Sequence, residues 1–177
     1  MTLRRLRQSC IALLAMAAGG CGFHPLYGTT GAAGAARQEF SSIYVDTIQG
    51  ERIGYDLRNY LINNLRATAK PNQALYRLSV TLVQYIQGIA IENDATVTRY
   101  NYTLNAKYEL TDMHTNKVIK SGIESTLSAY DVVASPYATL AAEQDAQKRG
   151  ANDVAYRIQI DLAAYFAKHP AQAVQAQ

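Results

Sequence analysis

Apolar positions along this chain switch between two periods. From Phe40 onward, Ile43, Val45 and Ile48 mark a first strand. Between Glu51 and Thr68 the apolar residues move to Ile53, Leu57, Tyr60, Leu61 and Leu65, one face of a helix that Lys70-Pro71-Asn72 should stop. Tyr76, Leu78, Val80 and Leu82 then alternate with Arg77, Ser79, Thr81 and Val83 as a second strand. The third strand carries the cleanest pattern. Tyr100, Tyr102, Leu104, Ala106, Tyr108 and Leu110 face one way, and Arg99, Asn101, Thr103, Asn105, Lys107 and Glu109 the other. Such a run predicts a sheet with one covered face.

A fourth strand follows the turn Asp112-Met113-His114-Thr115-Asn116, with Ile119, Ile123 and Leu127 expected inward. If so, paired positions across this hairpin must sum to an odd number, because a slip of one residue exchanges the faces. Pairing Asp112 with Lys117 meets that condition, leaves a four-residue loop and sets Glu109 opposite Lys120 on the exposed face. Ser135-Pro136 opens a long helix with a capping serine and a first-turn proline. Its later stripe is Ala151, Ala155, Ile158, Leu162 and Tyr165 or Phe166, and Gly150 is expected to kink it or to approach the sheet closely. The predicted order is β-α-β-β-β-α. It makes an α+β two-layer sandwich, one four-stranded sheet packed on two helices.

The first twenty residues follow another logic. Arg4, Arg5 and Arg7 precede an apolar run from Ile11 to Ala18, and small residues close it, the three parts of an export signal. Eight to ten apolar residues rise about 12–15 Å as a helix, against a bilayer core of about 30 Å. The run ends Ala18-Gly19-Gly20-Cys21, which resembles a bacterial lipobox, with Ala18 where leucine is usual. In such a box the cysteine receives a diacylglycerol and becomes the mature N-terminus. The competing expectation is cleavage after Ala15-Met16-Ala17, leaving Cys21 as a stray thiol. Gly22 follows the cysteine, where an aspartate would resemble an inner-membrane retention signal. Residues 1–20 are thus expected to be a signal peptide and 21–38 a lipidated N-terminus and flexible tether. Residues 39–169 form a single α+β domain, and 170–177 a frayed tail.

Charge and composition narrow the chemistry. Of 17 cations, setting aside Arg4, Arg5 and Arg7 leaves 14, equal to the 14 carboxylates, so the remainder is neutral. Nucleic acid is not expected as a partner, since its binders carry a net basic footprint. The two cysteines, Cys10 and Cys21, exclude a disulfide framework or a cysteine zinc cluster once the leader is removed. His24, His114 and His169 lie far apart in the predicted elements, and no nucleophile elbow, phosphate loop or zinc-protease motif occurs. Neither catalysis nor a metal site is expected. Glu92 and Asp94 read as a solvated acidic loop. Tyr100, Tyr102 and Tyr108 suit either a core with wet edges or a face docked in another protein. Arg77, Arg99, Lys107, Lys117 and Lys120 suit either a solvated face or phosphate contact.

Cys21-Gly22-Phe23-His24-Pro25-Leu26-Tyr27-Gly28 resembles the mature N-terminus of the alphaproteobacterial LptE family of lipopolysaccharide-assembly lipoproteins. The likeness continues in Thr98-Arg99-Tyr100, in Tyr108-Glu109-Leu110-Thr111-Asp112, and from Tyr137-Ala138-Thr139 through Ala141, Glu143, Asp145 and Ala146. It implies an outer-membrane lipoprotein held in the inner leaflet by N-acyl and S-diacylglycerol groups on Cys21, palmitate-type chains, with no other cofactor. It further implies a plug within the LptD β-barrel that assists assembly of that barrel and delivery of lipopolysaccharide. No catalytic residue is implied. Arg99, Lys107, Lys117 and Lys120 are the expected contacts to lipopolysaccharide phosphates. The alternative is a structural or adaptor lipoprotein of another envelope-assembly complex.

Overall fold

The computed structural model describes residues 39–91 and 97–169. The signal segment, Cys21, the tether, Glu92, Asp94 and the tail lie outside them. A helical turn at 39–41 leads into β1 (Ile43–Val45), followed by α1 (Glu51–Leu65), β2 (Tyr76–Ile91), β3 (Val97–Asp112), β4 (Lys117–Asp131) and α2 (Pro136–Lys168). The strands form one sheet ordered β1-β2-β3-β4. β1 runs parallel to β2, with Ile43 beside Tyr76, and the other two pairings are antiparallel. The α+β sandwich and its β-α-β-β-β-α order are as the pattern predicts.

Both helices lie on the face carrying the even-numbered residues of β2 and β3. Leu78, Tyr102, Leu104, Tyr108 and Leu110 are fully buried there against Leu57, Leu61 and Leu65 of α1 and Ile158 and Leu162 of α2. α1 ends three residues before Thr68 because Arg66 takes a left-handed conformation (φ 50°), from which the Ala67 amide donates to the Ile62 carbonyl at 3.0 Å. Ser135 caps α2 by accepting from the Ala138 amide, with Pro136 in the first turn. Gly150 lies within the unbroken run of α2. It lets the helix approach the sheet: an added Cβ would sit 3.3 Å from Thr126 Cγ2 and 3.4 Å from the Tyr102 ring.

The β3–β4 hairpin begins as parity requires and then departs from it. Asp112 pairs with Lys117 and Thr111 with Val118, closing a loop over 113–116. The Asp112 carboxylate accepts from the amides of His114 and Thr115, each at 2.8 Å. The Thr115 bond leads in holding its pKa below the ordinary carboxylate value. Ile119 is then an extra residue: Leu110 pairs with Lys120, so a bulge shifts every later pair by one.

The expected inward set of β4 is therefore corrected. Ile119 stays half-buried against the core, but Ile123 is 69% exposed and Leu127 63%. Lys120, Gly122, Glu124 and Thr126 turn inward instead, across from Leu110, Tyr108, Ala106 and Leu104. Glu109 faces Ser121 rather than Lys120, and takes its ion pair from Lys107 at 2.8 Å.

Candidate functional site

A strand with polar residues on its covered face needs partners on the helix above, and α2 supplies them. Asp153 and Asp161 stand eight residues apart, roughly two helical turns, on the side of α2 facing β4. Asp161 accepts a hydrogen bond from the Tyr108 hydroxyl and an ion pair from Lys120 Nζ at 2.8 Å. Burial raises the Asp161 pKa, but the bonds from Lys120 and Tyr108 outweigh it, so the carboxyl lies below its ordinary value. Burial, then the bond to Asp161, pushes the Tyr108 phenol up. Gly122 leaves room for that ring, since an added Cβ would meet it at 2.7 Å. Higher on the strand, Thr126 donates to Asp153 Oδ2 at 2.9 Å, and Arg157 reaches the same oxygen at 2.9 Å. Tyr102 donates to Gln84 Oε1 at 2.9 Å, and burial, with Glu143 nearby, pushes its pKa up to about 12. No buried side-chain polar atom among the described residues lacks a partner. This layer is built to hold the sandwich together.

The opposite face of the sheet is open. Rows across it read Thr81–Lys107–Ile123, Val83–Asn105–Ser125 and Tyr85–Thr103–Leu127. Val83, Tyr85, Ile123 and Leu127 are all exposed, along the two sides of a polar central strand. Sequence reasoning missed this surface because it assigned the apolar residues of β4 to the core. The available signal was the line Asp153, Arg157, Asp161 beside the apolar stripe of α2, which demands polar residues beneath it.

One end of the molecule, the tip, carries a second uncovered apolar group. β2 and β3 run up to it with Gly88 beside Tyr100, and Tyr100 stacks on Tyr130 of β4, ring centroids 5.5 Å apart. Ile86, Ile89, Val133, Tyr137 and Leu140 are exposed there, Tyr137 at 86%. α2 has no fully buried residue before Ala146, and Ala142 is the residue ahead of it that packs on the core.

The four cations expected to contact phosphate do not converge. Arg99 is at the tip, bound to Asp131 at 2.9 Å. Lys107 lies on the open face with Glu109. Lys117 opens β4 at the far end, which puts it about 40 Å from Arg99 along β3 at 3.3 Å per residue. Lys120 lies on the covered face, its side chain 26% exposed. Among the described residues no cluster of three His, Cys, Asp or Glu could hold a metal, and no helix is long and apolar enough to cross a membrane.

The comparisons with known proteins fall on this frame. A family model described as LptE, lipopolysaccharide-assembly, matches residues 40–162, from the first buried aromatic to the last turns of α2. The chain belongs to the LptE family. Among solved structures, this LptE-family chain is similar to a candidate lipoprotein from Caulobacter crescentus CB15, at 28% identity with a TM-score of 0.63, covering 77% of this chain and 98% of that one. A minor lipoprotein from Acinetobacter baumannii is 18% identical, TM-score 0.54, over 70% and 90% of the two chains. The rare lipoprotein B from Shewanella oneidensis is 11% identical, TM-score 0.55, over 72% and 97%; at such identities these two share the fold alone. No curated protein matches the sequence. Membership places this LptE-family chain in lipopolysaccharide assembly.

Proposed function

We propose that this protein is an outer-membrane lipoprotein, acylated on Cys21 and held at the periplasmic face. In this reading it plugs and assists assembly of the LptD β-barrel and helps deliver lipopolysaccharide to the cell surface. The observation that carries the reading is the uncovered apolar surface. Val83, Tyr85, Ile123 and Leu127 on the open sheet face, with Ile86, Tyr137 and Leu140 at the tip, are exposed. Surfaces of this kind mark contact with another molecule. A barrel lumen would cover the open face and the tip at once, whereas a flat partner would cover only one. The polar rows between the apolar ones, Lys107 and Asn105 among them, match a barrel interior that is itself polar. Contact with lipopolysaccharide phosphates belongs to this reading through Arg99 and Lys107, the two expected cations outside the covered face and near the enclosed surface. All three of Arg99, Lys107 and Lys120 are ion-paired, and Lys120 differs in lying on the covered face, its side chain the least exposed of the three.

A detergent extraction with the tagged chain as bait, followed by mass spectrometry, tests it. One outer-membrane β-barrel should co-purify in equal amount, and the bait should carry acyl mass on Cys21. A bait with no acyl mass, or one recovered with a different envelope complex and no barrel, contradicts the proposal.

A further inference from the structure

Ion pairing is unevenly spread over this domain. Arg52, Arg77, Arg99, Lys107, Lys120, Arg149 and Arg157 are each held by a carboxylate. Arg58 is half-buried and donates to the Val45 carbonyl at 3.2 Å. The exposed cations that form no ion pair among the described residues are Arg66, Lys70, Lys117, Lys148 and Lys168. Four of these five lie at one end of the fold.

That end, the base, is opposite the tip, and it is fastened from four pieces of chain. Thr68 Oγ1 donates to the Ser41 carbonyl, the Leu75 amide to the Ser42 carbonyl, and the Met113 amide to the Leu75 carbonyl. Phe166 closes against Phe40 and Tyr76, with centroids 6.0 and 5.3 Å away. Arg66 and Lys70 follow α1, Lys117 opens β4 and Lys168 ends α2, so all four project from this assembled end. Its carboxylates are already engaged. Asp112 accepts the two turn amides, and Glu39 hydrogen-bonds to Tyr76. Those donors are neutral, so the four cations stand against two charged carboxylates and leave the base a net charge of 4 − 2 = +2. Elsewhere in the described domain Lys148 is the one exposed cation without an ion pair.

We propose that the base is a binding surface for anionic phospholipid headgroups of the leaflet that holds the protein. The occupant follows from where the chain leaves the domain. Residue 39 is at the base, and the eighteen residues back to Cys21 span at most about 60 Å. This step rests on the reading of Cys21 as the acylated residue. A lipid anchor then delivers the base, and not the tip, to the bilayer surface. Lysines and arginines near an anionic bilayer each strengthen attachment roughly fivefold, and act within about a Debye length of 8 Å. The surface would turn a loose leash into an oriented mount, with the apolar tip directed away from the phosphates. Phosphate is common to phospholipid and lipopolysaccharide, so the test must separate them.

The test uses the mature chain from residue 21 with Cys21→Ser, sedimented with phosphatidylcholine vesicles or with vesicles containing phosphatidylglycerol. Binding should require the anionic lipid and be lost in high salt. The triple variant Lys70→Gln/Lys117→Gln/Lys168→Gln, all exposed positions, should bind roughly a hundredfold more weakly, with an unchanged melting curve. Lys148→Gln, on an unpaired cation away from the base, should bind as the parent does. Equal binding to neutral vesicles, parent-like binding by the triple variant, or an equal loss with Lys148→Gln would overturn the proposal. So would lipopolysaccharide aggregates that bind at matched phosphate where phosphatidylglycerol vesicles do not. Acyl mass on wild-type Cys21 is read separately. Its absence beside intact vesicle binding removes the anchor and leaves the basic surface supported, while its presence without vesicle binding removes the surface alone.

Discussion

Asp161 is the residue on which the covered face of β4 turns. It joins Lys120 and Tyr108 where a strand offers a cation and a glycine to the core, and it is itself partly shielded, with 34% of its side chain exposed. Its lowered pKa fixes the sign of its pH dependence. A carboxyl that ionises more readily folded than unfolded stabilises the fold above the ordinary carboxylate range. That contribution is lost as pH falls through the lowered value. Asp161→Asn should cost about 1–3 kcal/mol near neutral pH, the range for leaving bonded partners unsatisfied. The gap from wild type in urea unfolding should narrow on acidification. A gap that holds constant into acid would remove the charge from the account.

At the scale of elements, the alternation of β3, the helical stripe of α1 and the capped start of α2 were legible because each serves one buried face. Residues such as Tyr102, Leu104 and Leu110 repeat at the spacing of the element that buries them. β4 was not legible, for a physical reason. Its apolar residues alternate as a core face would, yet the bulge at Ile119 turns them outward, and their regularity serves a surface beyond this chain. A one-residue bulge leaves no mark in hydrophobic period, and only the polar line on α2 could have indicated it. The two assignments predict different stabilities. Ile123→Thr and Leu127→Thr should each change unfolding free energy by less than about 0.5 kcal/mol, as at exposed positions. Core positions would lose about 2 kcal/mol or more. The expected phosphate contacts had the thinnest basis in the sequence. Face and charge grouped Arg99, Lys107, Lys117 and Lys120, but register spreads them from tip to base and across both faces.

Taken whole, the molecule is polar in its layout, with unpaired cations at the base beside the N-terminal approach and bare apolar side chains at the tip and along the open sheet face. Apolar side chains left bare on two surfaces gain from being enclosed, and the family places the chain in lipopolysaccharide assembly. Photo-crosslinking in intact cells reads enclosure directly. A photoreactive residue at Leu127, on the open face, and another at Leu140, at the tip, should both give adducts to the same outer-membrane β-barrel. Adducts from only one position, or from both to a partner that is not a barrel, would contradict the account.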